Sequence, residues 1–207
     1  VKDAKKILVI CPFPEGVQAG QRLKYEQHFS TFRNNNYIVH VRSFINLNSW
    51  NILYKKGYYI NKFFGMMLGY LKRFFTIFIL YRYDIIYVFM WVTPYGPGWM
   101  ERVYRFFSKK IIYDIEDNIL VIKKNVINPT SRFKSIKKII FLIKNSDQII
   151  TSAPSLNEKC KLISLKNNCT YICASINLKK YIPNIEYNNN NLLTIGWTGT
   201  FSSKLYL

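Results

Sequence analysis

Three carboxylates within four positions form the densest acidic cluster in the sequence. Asp114, Glu116 and Asp117 follow the strand-like run Lys110–Tyr113. Carboxylates at the end of a buried strand can bind sugar hydroxyls, act as a general base or bind a metal ion. The same residues can instead cap a helix or lie in a solvated loop. The pattern alone leaves both alternatives open.

A second candidate site is the loop after the first apolar run. The segment Cys11–Gly16 is rich in proline and glycine, and Gly20 and Arg22 lie at the start of the next helical stretch. Loop amides and a cation near a helix N-terminus can bind an anion or a polar ligand. Glu15, Gly16, Gly20 and Arg22 are therefore candidate site residues. Alternatively, the prolines only stiffen a turn. The Gly-x-Gly-x-x-Gly fingerprint of dinucleotide-binding proteins is absent.

A third candidate site is rich in glycines and hydroxyls. Gly196 and Gly199 permit a tight turn, and Thr200, Ser202 and Ser203 place hydroxyls before a helix start. Such a loop suits the diphosphate of a nucleotide-sugar, although the pattern alone is weakly specific.

The elements that must position these candidates alternate between short apolar runs and longer helical stretches. Runs such as Ile7–Ile10 and Ile85–Val88 are apolar on both faces, which is typical of parallel strands covered by helices on both sides. The predicted strands are Ile7–Cys11, Tyr37–Arg42, Asp84–Met90, Lys110–Asp114, Gln148–Ser152, Thr170–Ala174 and Leu193–Gly196. The predicted helices are Gln21–Arg33, Tyr58–Arg82, Trp99–Ser108, Arg132–Asn145 and Ser155–Ser164.

Repeated strand–helix units predict an α/β fold with a Rossmann-like, mainly parallel sheet and helices on both faces. In such sheets ligands bind beyond the carboxyl ends of the strands. The four asparagines Asn188–Asn191 indicate a domain boundary. We expect residues 1–187 to form one domain. Residues 188–207 are expected to be a linker and the first strand and loop of a second domain, truncated at Leu207.

The charge and composition of the chain limit its partners. The 30 Lys and Arg residues against 11 Asp and Glu residues give a formal charge of +19, which indicates nucleic acid, acidic lipid or a phosphorylated substrate as partner. A hydrophobic fraction of 49% argues against disorder. The four cysteines lack the spacing of a zinc site, so we expect no metal site.

The ordered set of motifs resembles the group 1 (family 4) glycosyltransferases of the GT-B type. The resemblance extends over nearly the whole chain, and no single motif in it is diagnostic. The segments that carry it are the Pro12–Gly16 loop with the Arg22–Gln27 helix, the run Ile111–Asp117, the strand Ser146–Ser152, and Leu192–Gly199.

This resemblance implies a hexosyltransferase with two Rossmann-like domains facing each other across a cleft. The first domain would bind the acceptor and the second the nucleotide-sugar, with retention of anomeric configuration and without a cofactor or catalytic metal. The expected acceptor-side residues are Glu15, Gly16, Gly20, Arg22, Asp114, Glu116 and Asp117. The expected donor-phosphate residues are Gly196, Gly199, Thr200, Ser202 and Ser203.

Two departures from the family pattern matter. Asn177 stands where the family commonly has an aspartate, so a role tied to that carboxylate is in doubt. The family's basic phosphate clamp and Glu-x7-Glu region would lie beyond Leu207. We therefore expect the chain alone to be inactive, because charge on the leaving diphosphate would lack stabilising groups.

The segment Tyr58–Arg82 is strongly apolar and also basic. Lys62, Lys72 and Arg73 interrupt it, so its apolar runs are too short for a membrane-spanning helix. Apolar residues occupy most of its circumference, which suits either packing on the sheet or insertion into an anionic membrane interface.

Together these observations predict a sugar transferase of bacterial surface polysaccharide synthesis. We expect it to be cytoplasmic and peripheral on the inner face of the plasma membrane, with a nucleotide-sugar donor, a glycan or lipid-linked acceptor, and an anionic membrane surface bound through 58–82. Alternative functions are a basic nucleic-acid-binding protein and a membrane-associated α/β protein without catalysis. Acidic residues near the expected ligand edge argue against a nucleic-acid groove.

Overall fold

The computed structural model describes residues 4–116, 135–178 and Gly196. The chain divides into two compact units, Val1–Ile176 and Asn177–Leu207. In the second unit the described residues are Asn177, Leu178 and Gly196, and Gly196 is exposed. The first unit contains the described helices and strands. It is an α/β structure with a parallel sheet flanked by helices, so the predicted Rossmann-like fold is confirmed.

Strands and helices alternate along most of the first unit. The strands are β1 Lys5–Cys11, β2 Tyr37–Ser43, β3 Ile85–Phe89, β4 Ile111–Ile115, β5 Gln148–Thr151 and β6 Cys169–Tyr171. The helices are α1 Ala19–Lys24, α2 Phe29–Asn34, α3 Leu47–Ile52, α4 Tyr59–Ile77, α5 Trp99–Phe107, α6 Ile136–Asn145 and α7 Pro154–Ile163. Short 3-10 turns span Glu26–His28 and Leu80–Arg82.

The described strands form one sheet in the order β2-β1-β3-β4-β5-β6, and all neighbouring pairs are parallel. The register pairs Ile7 of β1 with Ile85 of β3. Strand order reverses direction at β1, which lies between β2 and β3. The carboxyl ends of β1 and β3 therefore flank the position at which sheets of this type bind ligands.

Side chains of β1 alternate between two hydrophobic cores. Leu8 and Ile10 pack with residues of α4 to α7, whereas Ile7 and Val9 pack with Tyr25 and with Phe29 of α2. Because both sets of side chains are buried, this central strand is apolar on both faces, as its sequence predicted.

Two helical segments differ from their predicted form. The stretch Gln21–Arg33 is not one helix, because Tyr25 leaves the helical region with φ −133° and ends α1; a 3-10 turn and α2 follow. Helix α3 was not predicted from the sequence. Its Asn46 cap, whose side chain accepts a hydrogen bond from the Ser49 amide at 2.8 Å, is the local signal that marks it.

Helix α4 packs on the core through a narrow face of small residues. Added Cβ atoms at Gly65 and Gly69 would overlap the Ser49 side chain and the Phe44 ring, so these glycines let the helix approach closely. The opposite face carries large apolar side chains that stay exposed. In the described residues, no helix is long and apolar enough to cross a membrane.

Arg73, on the inner face of α4, is fully buried and joins the ends of three strands. Its Nη2 donates to the carbonyl of Cys11, its Nη1 to the carbonyl of Arg42, and its Nε to the carbonyl of Val92, each at 2.8 Å. Burial lowers the pKa of the Arg73 guanidinium. One side chain thus fixes the carboxyl ends of β1 and β2 and the segment after β3.

We expect Arg73→Lys to lower the free energy of unfolding by about 3 kcal/mol, because a lysine cannot serve all three carbonyls and each buried group left unpaired costs about 1–3 kcal/mol. Denaturant titration followed by circular dichroism measures the change. The neighbouring exposed substitution Lys72→Arg is the control and should stay within about 0.5 kcal/mol of the parent. Equal stability of both variants would contradict the role given to Arg73.

Candidate functional site

The candidate site lies at the edge of the sheet where the strands end. The segments that reach this edge are the loop after β1 with the start of α1, the residues after β4, and the residues after β5. Two hydrogen bonds continue the sheet here: the Met90 amide donates to the Asp114 carbonyl at 2.8 Å, and the Ile172 amide donates to the Thr151 carbonyl at 2.9 Å.

The loop after β1 is held from beneath by Gln21. This buried side chain accepts a hydrogen bond from the Phe13 amide at 3.1 Å and donates one to the Phe13 carbonyl at 3.0 Å. It also donates to the Glu26 carboxylate at 3.1 Å, which accepts a second bond from the Gly16 amide at 2.9 Å. Burial raises the pKa of Glu26, and these hydrogen bonds oppose the rise.

The turn in this loop depends on glycine. Gly16 adopts φ +82°, a left-handed conformation that side chains rarely adopt, and no atom would obstruct an added Cβ. The turn leaves Gly16 and the neighbouring Glu15 exposed at the sheet edge. Glu15 is thus accessible to a ligand, whereas Gln21 and Glu26 act as supports.

Glu116 and Gly20 meet at the edge of the sheet. A Cβ added to Gly20 would lie 2.7 Å from the Glu116 Oε1 atom and closer still to Oε2, so the carboxylate occupies the space that a side chain would take. The backbone carbonyl of Glu116 accepts a hydrogen bond from the Ser152 hydroxyl. Gly20 of α1 therefore lies against the Glu116 carboxylate, and Ser152, which follows β5, holds the Glu116 backbone.

Asp114 lies deeper, under α1. Its carboxylate is fully buried, forms an ion pair of 2.7 Å with Lys24 and accepts a hydrogen bond from the Tyr87 hydroxyl. Burial raises the pKa of Asp114, while Lys24 and Tyr87 counteract that rise. The buried ion pair gives Asp114 a structural role in holding α1 on the sheet.

A match of two periodicities places these four residues. Asp114 and Glu116 are two positions apart in an extended segment, so they lie on the same face of it. Gly20 and Lys24 are four positions apart, so they lie on the same face of α1. Because α1 lies across the end of β4, Lys24 meets Asp114 and Gly20 meets Glu116.

Of the remaining predicted site residues that the structure describes, Arg22 makes no contact with this cluster. Arg22 is exposed, and its amide donates to the Gln18 carbonyl at 3.1 Å within the first turn of α1. Asp117 lies outside the described residues. So do Gly199, Thr200, Ser202 and Ser203, and of the predicted donor-phosphate group only Gly196 is described. The assignment of all these residues to a site stays a prediction.

Sequence reasoning missed a buried polar cluster beneath the loop that follows β3. Thr93 donates from its amide and its hydroxyl to Glu101 Oε1, at 3.2 and 3.0 Å, and its carbonyl accepts a hydrogen bond from Lys138. Gly98, with φ +90°, packs closely against Lys138. The glycines and prolines of residues 94–98 signal a tight loop. The partnership with Lys138, 45 residues beyond Thr93, has no local signal.

A mainly apolar cavity of about 330 Å³ lies between the sheet and the helices α1 and α2. Lys24, Tyr87 and Asp114 line part of it, and apolar residues such as Ile7 and Phe32 line most of the rest. Since its charges are already paired, the cavity is poorly suited to a phosphate.

In the two ranges that the structure describes, no group of three His, Cys, Asp or Glu side chains is placed to hold a metal ion. Comparison with known proteins gave no match, either among family models or among curated proteins.

We expect Lys24→Met to destabilise the protein by about 3–5 kcal/mol at neutral pH, because it leaves a buried carboxylate without its counter-charge. Without Lys24 the pKa of Asp114 rises further. A carboxyl that binds its proton more tightly when folded stabilises the fold below its ordinary pKa, and this contribution is lost as the pH rises through the folded value. The stability deficit of the variant should therefore shrink on acidification.

Chemical denaturation of the parent and Lys24→Met at several pH values measures this effect. Lys24→Met/Asp114→Asn should recover much of the lost stability at neutral pH. Lys109→Met is the matched control because it breaks the exposed pair with Asp84 and should leave the unfolding midpoint unchanged. A deficit that is independent of pH would contradict a charged Asp114 paired with Lys24.

Proposed function

We propose that this chain is the acceptor-side part of a glycosyltransferase that transfers a sugar from a nucleotide-sugar to a glycan or lipid-linked acceptor, in bacterial surface polysaccharide synthesis. The observation that carries the proposal is the position of the Glu116 carboxylate, which lies against Gly20 at the carboxyl edge of a parallel sheet. That edge is where open α/β sheets bind ligands.

The fold alone does not select this function, since Rossmann-like sheets serve many activities. Support comes from agreement between the motif order and the local geometry. The resemblance implies that the loop around Gly20 and the segment around Glu116 belong to one acceptor-side cleft. In the structure these two segments, separated by almost a hundred positions in the sequence, lie side by side.

Glu116 suits the recognition of an acceptor hydroxyl. A carboxylate accepts hydrogen bonds from sugar hydroxyls, and the absence of a side chain at Gly20 leaves it room. The Ser152 hydroxyl holds the backbone of Glu116 in position. In the proposed reaction the acceptor oxygen bonds to the anomeric carbon of the sugar as the bond to the diphosphate breaks, and the hydroxyl proton passes to the departing diphosphate. Glu116 orients the acceptor for that step.

The charge of this edge favours a sugar over a polynucleotide. Glu15 is exposed in the loop after β1, and Glu116 is half-buried in the segment after β4. Two carboxylates would repel the phosphates of nucleic acid, whereas both can bind hydroxyls. The high positive charge of the whole chain therefore has to serve another contact.

The proposal predicts that Glu116→Gln lowers kcat/KM for the acceptor by about tenfold to a thousandfold with little change in thermal stability, because it removes the charge and keeps the shape. The assay measures nucleoside diphosphate release from a panel of nucleotide-sugars. It uses lipid or glycan acceptors and the protein encoded by the complete reading frame that contains this chain. Glu158→Gln, an exposed substitution on α7, is the matched control.

Gly20→Ala provides an independent test of the same geometry. Its methyl group must displace the Glu116 carboxylate, so activity should fall together with that of Glu116→Gln, while the helix stays intact because alanine favours helix. Transfer that is unchanged in both variants, or no turnover of any donor by the parent, would contradict the proposal.

A further inference from the structure

The outward face of α4 is apolar and open to solvent, the reverse of the usual pattern for a surface helix. Nine large apolar side chains of this helix are 43–79% exposed, among them Ile60, Phe64, Leu71 and Phe75. Ile77 is a buried apolar side chain of the face turned to the protein, and the other buried residues of that face are small or polar, such as Gly65 and Gly69. Most of the large apolar side chains of α4 thus contribute little to the core.

The charged residues that flank this face in the sequence are all cations. The stretch from Leu47 to Tyr83 contains six Lys and Arg residues and no Asp or Glu. Arg73 is buried, but Lys55, Lys56, Lys72 and Arg82 are exposed around the helix. An exposed apolar face with these exposed cations around it is complementary to a surface that combines hydrocarbon with negative charge.

We propose that the outward face of α4 binds the surface of an anionic lipid membrane, with the helix lying in the interface. Its phenylalanines and leucines would insert between the acyl chains, and the surrounding lysines and Arg82 would contact anionic headgroups. A helix that lies in the interface does not have to span the bilayer. No helix that could span a membrane is found among the described residues.

A second copy of the chain suits this face less well. Two α4 faces brought together would place their bordering cations opposite each other, and like charges in one interface are destabilising. A bilayer that carries acidic lipids supplies the opposite charge and the apolar contact together. This inference does not depend on the proposed sugar transfer, because α4 lies apart from Glu116 and Gly20 in the sequence and no contact between them is involved.

Flotation of the full chain with lipid vesicles tests the proposal. We expect strong flotation with vesicles of phosphatidylcholine and phosphatidylglycerol and weak flotation with phosphatidylcholine alone. Phe64→Ser/Leu71→Ser/Phe75→Ser should reduce the partition coefficient by at least about tenfold, because three inserted apolar side chains are lost. Since these side chains are exposed, the variant should keep its unfolding midpoint.

The charge of the border is tested separately. Lys55→Gln/Lys56→Gln/Lys72→Gln should also reduce binding to anionic vesicles by about tenfold or more. The control Lys137→Gln/Lys144→Gln/Lys159→Gln removes three exposed charges from α6 and α7 and should bind like the parent. A further control, Leu162→Ser/Leu165→Ser, removes exposed apolar side chains outside α4 and should also leave binding unchanged.

Three outcomes would overturn the proposal. The first is equal flotation with neutral and anionic vesicles, and the second is an equal loss of binding in the α4 variants and their controls. The third is sedimentation of the lipid-free chain as a dimer that Phe64→Ser/Leu71→Ser/Phe75→Ser converts to a monomer, which would identify a second copy as the partner. Because the readout is lipid binding, its failure is distinct from a failure of the sugar-transfer assay.

Discussion

A buried arginine that donates to three backbone carbonyls sets the geometry of the carboxyl edge of the sheet. Arg73 crosses from α4 to three backbone carbonyls, which belong to the ends of β1 and β2 and to the segment after β3. A guanidinium carries five donors spread over a planar fork, so it can reach carbonyls of three separate segments, whereas the three donors of a lysine lie on a single nitrogen. Tyr104 extends the arrangement by donating to the Arg73 carbonyl at 2.9 Å.

At the same edge, alternate residues of one segment take different positions. Asp114 is paired with Lys24 beneath α1, whereas Glu116 reaches the rim beside Gly20. The deeper pair fixes the helix across the strand end, and the helix in turn fixes the position of the outer carboxylate. The buried Lys24–Asp114 pair thus helps to hold the Glu116 carboxylate in place. A carboxylate with restricted motion is suited to orienting a ligand.

The sequence was most informative where a pattern is local and least informative where contacts are distant. The apolar runs predicted the central strands, because burial on both faces leaves a signature within each strand. The break of the predicted helix Gln21–Arg33 at Tyr25 reflects packing of that ring against Phe89, at a centroid distance of 5.2 Å, and no local pattern encodes this contact. The donors of Arg73 reach residues up to 62 positions away, so its role could not be read from its neighbours.

Amide hydrogen exchange of Arg73→Lys tests most directly whether this arginine fixes the carboxyl edge of the sheet. The Phe44 amide, which donates to the Cys11 carbonyl at 2.9 Å, should exchange at least about tenfold faster than in the parent protein, because local opening exposes it. The Asp147 amide, bonded to the Ile111 carbonyl at 2.9 Å beside β4, should keep its rate under the same conditions. Equal acceleration at both positions would show that Arg73 contributes only global stability, and would contradict the account.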